Sequence, residues 1–368
     1  MGEFPYNIDD VLLILGINHS NNKDIRTKCP LCGRRNLTVN RVDEKFACYS
    51  CDNFRGRGGT ALYAHIRGVD NKTAYSEIIS YLGTNTTVKR DTAPIIEEKD
   101  CQIASIGNRH KAYSLLLSHL SLSERHKDDL LKRGFLLTEI VKLGYKTYIT
   151  ESDKRIFEIP KDLIRRGINL SGIPAFFKAK SKDLWILNAK KSGILVPYRS
   201  RNSLIQGFQL RKNTEELDED EDKYSWITSS GKNMGTKSLA YIHYACDFEK
   251  NAQGEYEPVL NGESVLLTEG AMKGDLFHAI TGFPAICVAG VNSLTELDEE
   301  LKYLKSRGIK YILIAYDMDY ETNPKVARAV ETLKAKIESH ELSWQRILWD
   351  STWKGIDDYY AYHERGIK

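Results

Sequence analysis

Four cysteines near the N-terminus form two closely spaced pairs. Cys29 and Cys32 enclose two residues, Cys48 and Cys51 enclose two more, and 15 residues separate the pairs. Each such turn points two sulfur atoms at one position, and four thiolates satisfy the tetrahedral preference of Zn²⁺ with no coordination position left open. We therefore predict one structural Zn²⁺ site rather than a catalytic one. Four free thiols or a redox pair are the alternative.

Carboxylates that follow apolar segments in the last third of the chain are candidate ligands for a second kind of metal. Glu269 and a glycine end the segment SVLLTEG, and Asp317 and Asp319 follow the run YILIAY. Aspartates at i and i+2 share one face of an extended chain, so both can reach one or two hard cations such as Mg²⁺ or Mn²⁺. Asp357 and Asp358 form a third acidic cluster farther along. Helix caps and solvated loops are the structural alternative for this set.

Basic side chains accompany two short apolar runs in the middle of the chain. Arg199 ends the run GILVPYR and Arg201 follows it, Arg211 ends LIQGFQLR, and Lys212 and Lys223 come after. A turn-like segment between the two runs predicts a β-hairpin. Because phosphates attract arginine and lysine, these cations favour the binding of a polyanion. A solvated surface cation is the alternative for each one.

Charge is distributed unevenly along the 368 residues. Lysine and arginine outnumber aspartate and glutamate by 13 between residues 101 and 213, and the acidic residues are in excess by 11 from residue 214 onward. These excesses are hidden in a net charge of only +3. A basic region followed by an acidic one is typical of a polyanion-binding surface next to a carboxylate metal site, although an ordinary solvated surface gives the same counts.

Composition limits the class of protein. With 41% hydrophobic and 28% charged residues, the chain is globular, which excludes a mainly disordered or collagen-like protein. No apolar run approaches the roughly 18 residues of a membrane span, and the N-terminus lacks the basic start of a secretory signal. We therefore expect a cytoplasmic protein with no membrane partner.

The elements that must position these groups fall into three modules, which makes the fold class multidomain α+β. Residues 1–83 are expected to form a zinc ribbon, because LTVNRVDEKFAC between the cysteine pairs predicts strand, turn and strand. Residues 84–100 are polar and predict a linker.

Residues 101–258 predict a basic, mixed α+β middle subdomain with helices first and the hairpin later. From 259 to 368, buried strands alternate with helices, which indicates an α/β domain with a parallel sheet covered on both faces. The last strand is expected at RILWD, residues 346–350.

The order of these motifs resembles a known family. Glu269 and Gly270, followed by Asp317, Met318 and Asp319 on alternating strands and helices, look like the Rossmann-like Toprim fold of primases, topoisomerases and related nucleases. With the zinc ribbon and basic middle subdomain upstream, the chain resembles a DnaG-type primase. The segments ILVPYR, LIQGFQLR, and KY with a later SS are similar to that family's consecutive FPIR, IGFGGR and KYLNS segments.

The resemblance implies a DNA primase that synthesises short primers on single-stranded DNA from nucleoside triphosphates during replication. It implies that Glu269, Asp317 and Asp319 bind Mg²⁺ or Mn²⁺ with help from Asp357, while Glu269 is also a candidate for assisting proton transfer. The zinc ribbon would engage the template. The template backbone or the nucleoside triphosphates would be contacted by the basic residues Arg199, Arg201, Arg211, Lys212 and Lys223. A separate replicative helicase is a candidate partner, and the short length favours a phage or mobile-element variety.

The chain departs from the family pattern at three places. Four cysteines stand where the bacterial replicative enzymes have three cysteines and a histidine. Lys273 stands where the EGxxD pattern has an aspartate, which leaves the role of the nearby Asp275 open. The usual third acidic cluster is represented by Asp357 and Asp358, and the individual ligand is open.

Two other functions remain open on the sequence. A Toprim domain also cleaves nucleic acid in topoisomerases and small nucleases, although a topoisomerase needs a nucleophilic tyrosine in a strand-passage domain that is not evident here. A non-catalytic DNA-binding replication factor would bind the template and incorporate no nucleotide. Incubation with single-stranded DNA, labelled nucleotides and a divalent metal separates these functions.

Overall fold

The computed structural model describes residues 5–17, 23–51, 53–84, 100–179, 183–217, 221–290, 294, 296–317 and 324–367. The chain divides into two compact units. Unit 1 consists of residues 1–99 and 217–222, and unit 2 consists of residues 100–216 and 223–368. Except for its two ends, the linker predicted at 84–100 lies outside the described residues.

Unit 1 combines a small antiparallel sheet with helices. Its described elements are α1 (Ile8–Ile14), β1 (Asp24–Thr27), β2 (Leu37–Asn40), β3 (Lys45–Cys48), β4 (Arg55–Arg57), α2 (Gly59–Arg67) and α3 (Asn71–Thr84). The strands pair in the order β1, β2, β3, β4. Leu37 lies opposite Cys48 in the antiparallel pair of β2 and β3, which confirms the predicted strand, turn and strand. Leu12, Val39 and Leu62 belong to one apolar core shared by sheet and helices.

Unit 2 begins with helices and continues into an antiparallel sheet. The first elements are α4 (Ile106–Ser118), α5 (Glu124–Lys132), α6 (Leu137–Leu143), β5 (Lys146–Tyr148), α7 (Arg155–Arg165), β6 (Phe176–Lys178), β7 (Trp185–Leu187), β8 (Gly193–Arg199), β9 (Ile205–Lys212) and β10 (Tyr224–Trp226). The sheet has the order β10, β9, β8, β5, and β6 pairs with β7. Because β8 and β9 pair in antiparallel fashion from Gly193–Lys212 to Arg199–Ile205, the predicted hairpin is confirmed.

The rest of unit 2 is built on a mixed five-stranded sheet. Its elements are β11 (His243–Ala245), β12 (Phe248–Lys250), β13 (Tyr256–Pro258), β14 (Ser264–Glu269), α8 (Ala271–Thr281), β15 (Ala285–Val288), α9 (Leu297–Ser306), β16 (Tyr311–Ala315), α10 (Pro324–Ser339), β17 (Ser343–Arg346) and α11 (Ile356–Arg365). The strand order is β11, β15, β14, β16, β17. Strands β14 to β17 are parallel, as predicted, and β11 adds an antiparallel edge that the sequence did not predict.

Helices cover both faces of this sheet because successive strand residues point to opposite sides. Val265 and Leu267 of β14 pack in one apolar cluster with Leu301 of α9 and Leu333 of α10. Leu266, between them in sequence, packs in another cluster that contains residues of α8 and α11. The alternation of strands and helices therefore produces the two-sided burial that the sequence indicated.

The last parallel strand lies earlier in the chain than predicted. β17 spans Ser343–Arg346, whereas the apolar run at residues 346–350 was expected to be the strand. Because β17 is an edge strand, its residues alternate between exposed and partly buried positions, and the strand carries no continuous apolar run. The apolar run itself packs against the sheet through Ile347 and Trp349.

Among the described helices, none combines the length and the apolar composition that a membrane span needs.

Candidate active site

Glu269 and Asp317 lie at the same edge of the parallel sheet. β14 and β16 are neighbours with Thr268 opposite Ala315. Glu269 is the last residue of β14, and Asp317 follows the end of β16 by two residues. Ligand sites of open α/β sheets lie outside the carboxyl ends of the strands, which is where both carboxylates are found. Asp319, predicted beside them, lies outside the described residues.

Gly270 makes the sharp turn from β14 into α8. Its φ of 76° lies in the left-handed region that favours glycine, and its N–H donates to the Val288 carbonyl oxygen at 2.7 Å. The chain therefore passes directly from Glu269 into the first turn of α8, which contains Lys273.

Lys273 directs its ammonium group at Asp317. Lys273 Nζ forms an ion pair with Asp317 Oδ1, and Lys354 Nζ lies 3.7 Å from Asp317 Oδ2. The side chains of Lys273 and Asp317 are 17% and 16% exposed, whereas that of Lys354 is 69% exposed. Burial lowers the pKa of Lys273, but the surrounding carboxylates, with Asp317 first, outweigh burial and hold this pKa above its usual value. Lys273, the residue that departs from the EGxxD pattern, therefore contacts a carboxylate of this edge.

Asp357, the second residue of α11, is held by an arginine from the helical part of unit 2. Its side chain is fully buried, and Arg133 Nη2 donates to Asp357 Oδ2 at 2.7 Å. Burial opposes the charge of Arg133, but Asp357 outweighs burial and keeps the pKa of Arg133 above its usual value. Burial, and then repulsion from Asp357, raise the pKa of the partly buried Asp358. In the third acidic cluster, Asp357 is thus paired with a cation, whereas Asp358 resists ionisation.

The donor set has the chemistry that a hard divalent cation requires, since Mg²⁺ and Mn²⁺ prefer carboxylate oxygens. Asp357 Oδ1 is buried and has no hydrogen-bond partner among the described residues. A Cβ at Gly355 would lie 2.4 Å from this oxygen and 3.4 Å from Lys273 Cε, so the loop packs tightly on the cluster. Glu269, Asp317 and Asp357 do not bring three oxygens within 4.8 Å of one another; among the described residues the four cysteines alone form such a group.

Asp275 is occupied by hydrogen bonds within the protein. Tyr145 donates its hydroxyl to Asp275 Oδ2 at 2.6 Å, and His243 Nε2 lies 2.9 Å from Asp275 Oδ1. The backbone N–H of Arg199 donates to His243 Nδ1, so the proton of the neutral imidazole is on Nε2 and is donated to Asp275. Both Asp275 and His243 are buried. These hydrogen bonds join α8 to the antiparallel sheet, so Asp275 has a structural role.

Arg199 and Arg201 lie at the turn end of the β8–β9 hairpin. Arg199 lines a cavity of 690 Å³, and its Nη1 donates to the Ser203 carbonyl oxygen at 3.3 Å. Burial lowers the pKa of Arg199. The guanidinium of Arg201 lies 4.5 Å from the centre of the Tyr303 ring and 3.7 Å from Glu300 Oε2. Both cations of this end therefore face other parts of unit 2.

Arg211, Lys212 and Lys223 lie at the open end of the same hairpin, about six residues or roughly 20 Å from the turn. Arg211 forms an ion pair with Asp129, and the Lys212 residue is buried. Burial lowers the pKa of Lys223, and the positive charges of Arg211 and Arg133 lower it further. Arg133 must lie near Lys223 to lower its pKa, and Arg133 also pairs with Asp357. Arg133 therefore lies between these cations and the third acidic cluster. The five predicted cations thus divide between two ends of the hairpin.

Sequence reasoning missed Arg133 and gave Lys273 no role in the site. Arg133 stands next to a glycine at the end of α5, a position typical of an ordinary surface cation. Its partner Asp357 is more than 200 residues away in sequence, and no local pattern connects the two. Lys273 is visible in the sequence as a departure from EGxxD. Its approach to Asp317 depends on the tertiary fold, because α8 follows β14 directly and β14 is the neighbour of β16.

The cysteine pairs converge as predicted. Cys29 Sγ lies 3.8 Å from Cys51 Sγ, and Cys32 Sγ lies 3.7 Å from Cys48 Sγ. A tetrahedron with Zn–S bonds of about 2.3 Å has edges of about 3.8 Å, whereas a disulfide needs sulfurs about 2 Å apart. All four sulfurs lie within 4.8 Å of one another. The cluster fits Zn²⁺ with every coordination position filled by protein, and it does not fit disulfides.

Comparison with known proteins relates the chain to primases through its fold. A family described as "Domain of unknown function (DUF3854)" matches residues 259–366. No curated protein sequence matches the chain.

Solved structures of primase domains are similar to the chain. The RNA polymerase domain of Mycobacterium tuberculosis primase DnaG aligns with a TM-score of 0.51 at 15% identity, over 71% of this chain and 83% of that chain. The zinc-binding and RNA polymerase domains of the Aquifex aeolicus primase align with a TM-score of 0.49 at 13% identity, over 95% of this chain and 79% of that chain. The first of these comparisons shows a primase-like fold, and at such identity it concerns the fold alone.

Proposed function

We propose that this chain is a DnaG-type DNA primase that synthesises short primers on single-stranded DNA by metal-dependent nucleotidyl transfer. The observation that carries the proposal is the position of Glu269 and Asp317 at one edge of a parallel sheet, in a fold similar to a primase RNA polymerase domain. Residues 259–368 would be the catalytic Toprim domain, and residues 101–258 the basic subdomain of the same polymerase core.

Asp317, Asp319 and Glu269 would hold Mg²⁺ or Mn²⁺, with Asp357 supporting them. A metal held there would supply the positive charge that neutralises the triphosphate and would help to align the attacking 3′ oxygen with the leaving pyrophosphate. Arg133 would hold Asp357 in place, because a buried carboxylate needs a paired and hydrogen-bonded cation. The tight loop at Gly355 holds the third acidic cluster against Lys273.

Arg211 and Lys223 would attract the triphosphate or the template backbone. Arg133 lies close enough to lower the pKa of Lys223, so this basic group continues to the carboxylate edge. Arg199 and Arg201 would contact the template at the other end of the hairpin, and Lys212 would support β9 from a buried position. Phosphate contacts of this kind position a nucleic acid without reading its sequence.

Residues 1–83 would form a template-binding module stabilised by one Zn²⁺, joined to the polymerase core by the linker at 84–100. Because the cysteine cluster leaves no coordination position open, its zinc has a structural role. A separate replicative helicase and a phage or mobile-element origin stay predictions.

The experiment that tests the function is primer synthesis with Asp317→Asn. We expect wild-type protein to extend labelled ribonucleotides or deoxyribonucleotides on single-stranded DNA with Mg²⁺ or Mn²⁺, and D317N to make no primer while still binding the template. Asp247→Asn is the matched control, since Asp247 is an exposed aspartate bound to Lys142 and lies away from this edge. Full activity of D317N contradicts the proposal. Shortened DNA in place of primers indicates a nuclease, and binding without incorporation indicates a replication factor.

A further inference from the structure

Lys273 places a positive charge where a metal-binding carboxylate cluster ordinarily receives metal ions. Its side chain is largely buried and its Nζ contacts Asp317 Oδ1. A Cβ at Gly355 would lie within 3.4 Å of both Lys273 Cε and an Asp358 oxygen, so the loop before α11 packs on the Lys273 stem. An ammonium group enclosed in this way stays beside Asp317 instead of moving into solvent.

The charges around Lys273 leave room for a limited number of divalent ions. Asp358, which resists ionisation, and Lys354, which is 69% exposed and screened by solvent, add little to the charge of the site. The remaining groups among the described residues are three carboxylates and two cations: Glu269, Asp317 and Asp357 against Lys273 and Arg133. Their formal sum is −1, and Asp319 adds one more negative charge by sequence. A formal charge of −2 is balanced by one divalent ion. A second divalent ion would leave the site positive before any nucleotide arrives.

We propose that the Lys273 ammonium takes the place of one divalent ion, so that the carboxylate edge of the free protein binds a single Mg²⁺ or Mn²⁺. This inference rests on the proposed function, because it concerns the same metal site. An aspartate at 273 would add a ligand and remove a cation, which changes the formal charge of the site by two units. Replacing Lys273 is therefore the sharpest available change to the number of ions bound.

The fixed ammonium also explains how Asp317 is held before metal arrives. Closely spaced carboxylates repel one another in a partly buried site, and a charged neighbour lowers that cost. Lys273 reaches Asp317 Oδ1 from α8, whereas the exposed Lys354 approaches Asp317 Oδ2. Asp357 Oδ1 remains without a hydrogen-bond partner among the described residues, which leaves a buried oxygen to accept an ion or a water molecule.

The test counts Mn²⁺ bound to the full, zinc-loaded chain without nucleotide, by electron paramagnetic resonance of the free ion. We expect one Mn²⁺ per wild-type chain and two per Lys273→Asp chain. Lys273→Met, which removes the charge without adding a ligand, should bind its first ion at least about tenfold more tightly. Lys354→Met is the matched control, because an exposed lysine is screened by solvent and should change neither number.

Two ions on the wild type, or none, overturn the inference. An unchanged affinity in K273M also overturns it, even if K273D does not fold, and so does an effect of K354M equal to that of K273M. The count is independent of primer synthesis. If the wild type binds one ion and makes no primer, the proposed function is wrong and the inference about Lys273 holds. If the wild type binds two ions and makes primers, the inference is wrong and the proposed function holds.

Discussion

Removing Arg133 should destabilise the protein far more than removing an ordinary surface arginine. Asp357 is fully buried, and Arg133 Nη2 donates to it at 2.7 Å while only 22% of the Arg133 side chain is exposed. Arg133→Met keeps the aliphatic volume and leaves the Asp357 charge in a buried position without its partner. The expected loss follows from the charge, since burying an unpaired carboxylate is costly.

The size of this loss can be worked from the geometry. Two unit charges about 4 Å apart attract by about 4 kcal/mol at an effective dielectric constant near 20. Breaking a buried pair by removing one partner costs about 3–5 kcal/mol, which agrees with that figure. At roughly 2–4 °C per kcal/mol for a unit of this size, the unfolding midpoint of R133M should fall by about 8–16 °C.

Thermal unfolding without added Mg²⁺ measures the effect, since a divalent ion would compensate the unpaired buried charge of Asp357. The double variant R133M/D357N should be more stable than R133M alone, because it removes the stranded carboxylate as well. Arg125→Met is the matched control: Arg125 lies on α5, the helix that Arg133 follows directly, but it pairs with Glu215 at a position where both side chains are more than half exposed. An exposed pair contributes about 0–1 kcal/mol. A double variant less stable than R133M, or equal losses in R133M and R125M, refutes the reasoning.

Two further predictions concern packing and zinc. Gly274→Ala should lower stability by about 1–3 kcal/mol in thermal unfolding, because its Cβ would lie 2.1 Å from Cys287 Sγ, whereas Gly107→Ala, with nothing within 4 Å, should raise stability by up to about 1 kcal/mol. Equal effects of the two would contradict this packing. Cys32→Ser should release the zinc measured by metal analysis and make the N-terminal unit sensitive to protease, since metal binding supplies folding free energy, while Cys101→Ser should retain both zinc and resistance.

The parts of the fold that the sequence predicted are those in which one local pattern decides the outcome. The β8–β9 hairpin has two apolar runs joined by a short polar turn, and its register follows from that arrangement. The parallel strands are buried on both faces and therefore carry continuous apolar runs, as in β14. The four cysteines needed only the geometry of two tight turns to converge.

The parts that the sequence did not predict depend on contacts between distant segments. β17 is an edge strand whose position is set by pairing with β16, so its sequence resembles a loop and the following apolar run resembles a strand. The sequence also does not show that the five basic residues lie at two ends of the hairpin, because residues at the two ends of a strand pair are separated although they are close in sequence. The pairing of Arg133 with Asp357 likewise exists only once α5 and α11 are packed in the same unit.

Helix α8 connects the carboxylate edge to the antiparallel sheet through two residues that face in different directions. Residues two apart on a helix are rotated by about 200° from each other, so Lys273 faces Asp317 while Asp275 faces Tyr145 and His243. Gly274 lies between them, and its close approach to Cys287 sets how near α8 lies to the sheet. Any displacement of α8 must therefore move the Lys273 ammonium relative to Asp317 and strain the Asp275 hydrogen bonds together. The position of the charge in the site is thus fixed by buried contacts within unit 2.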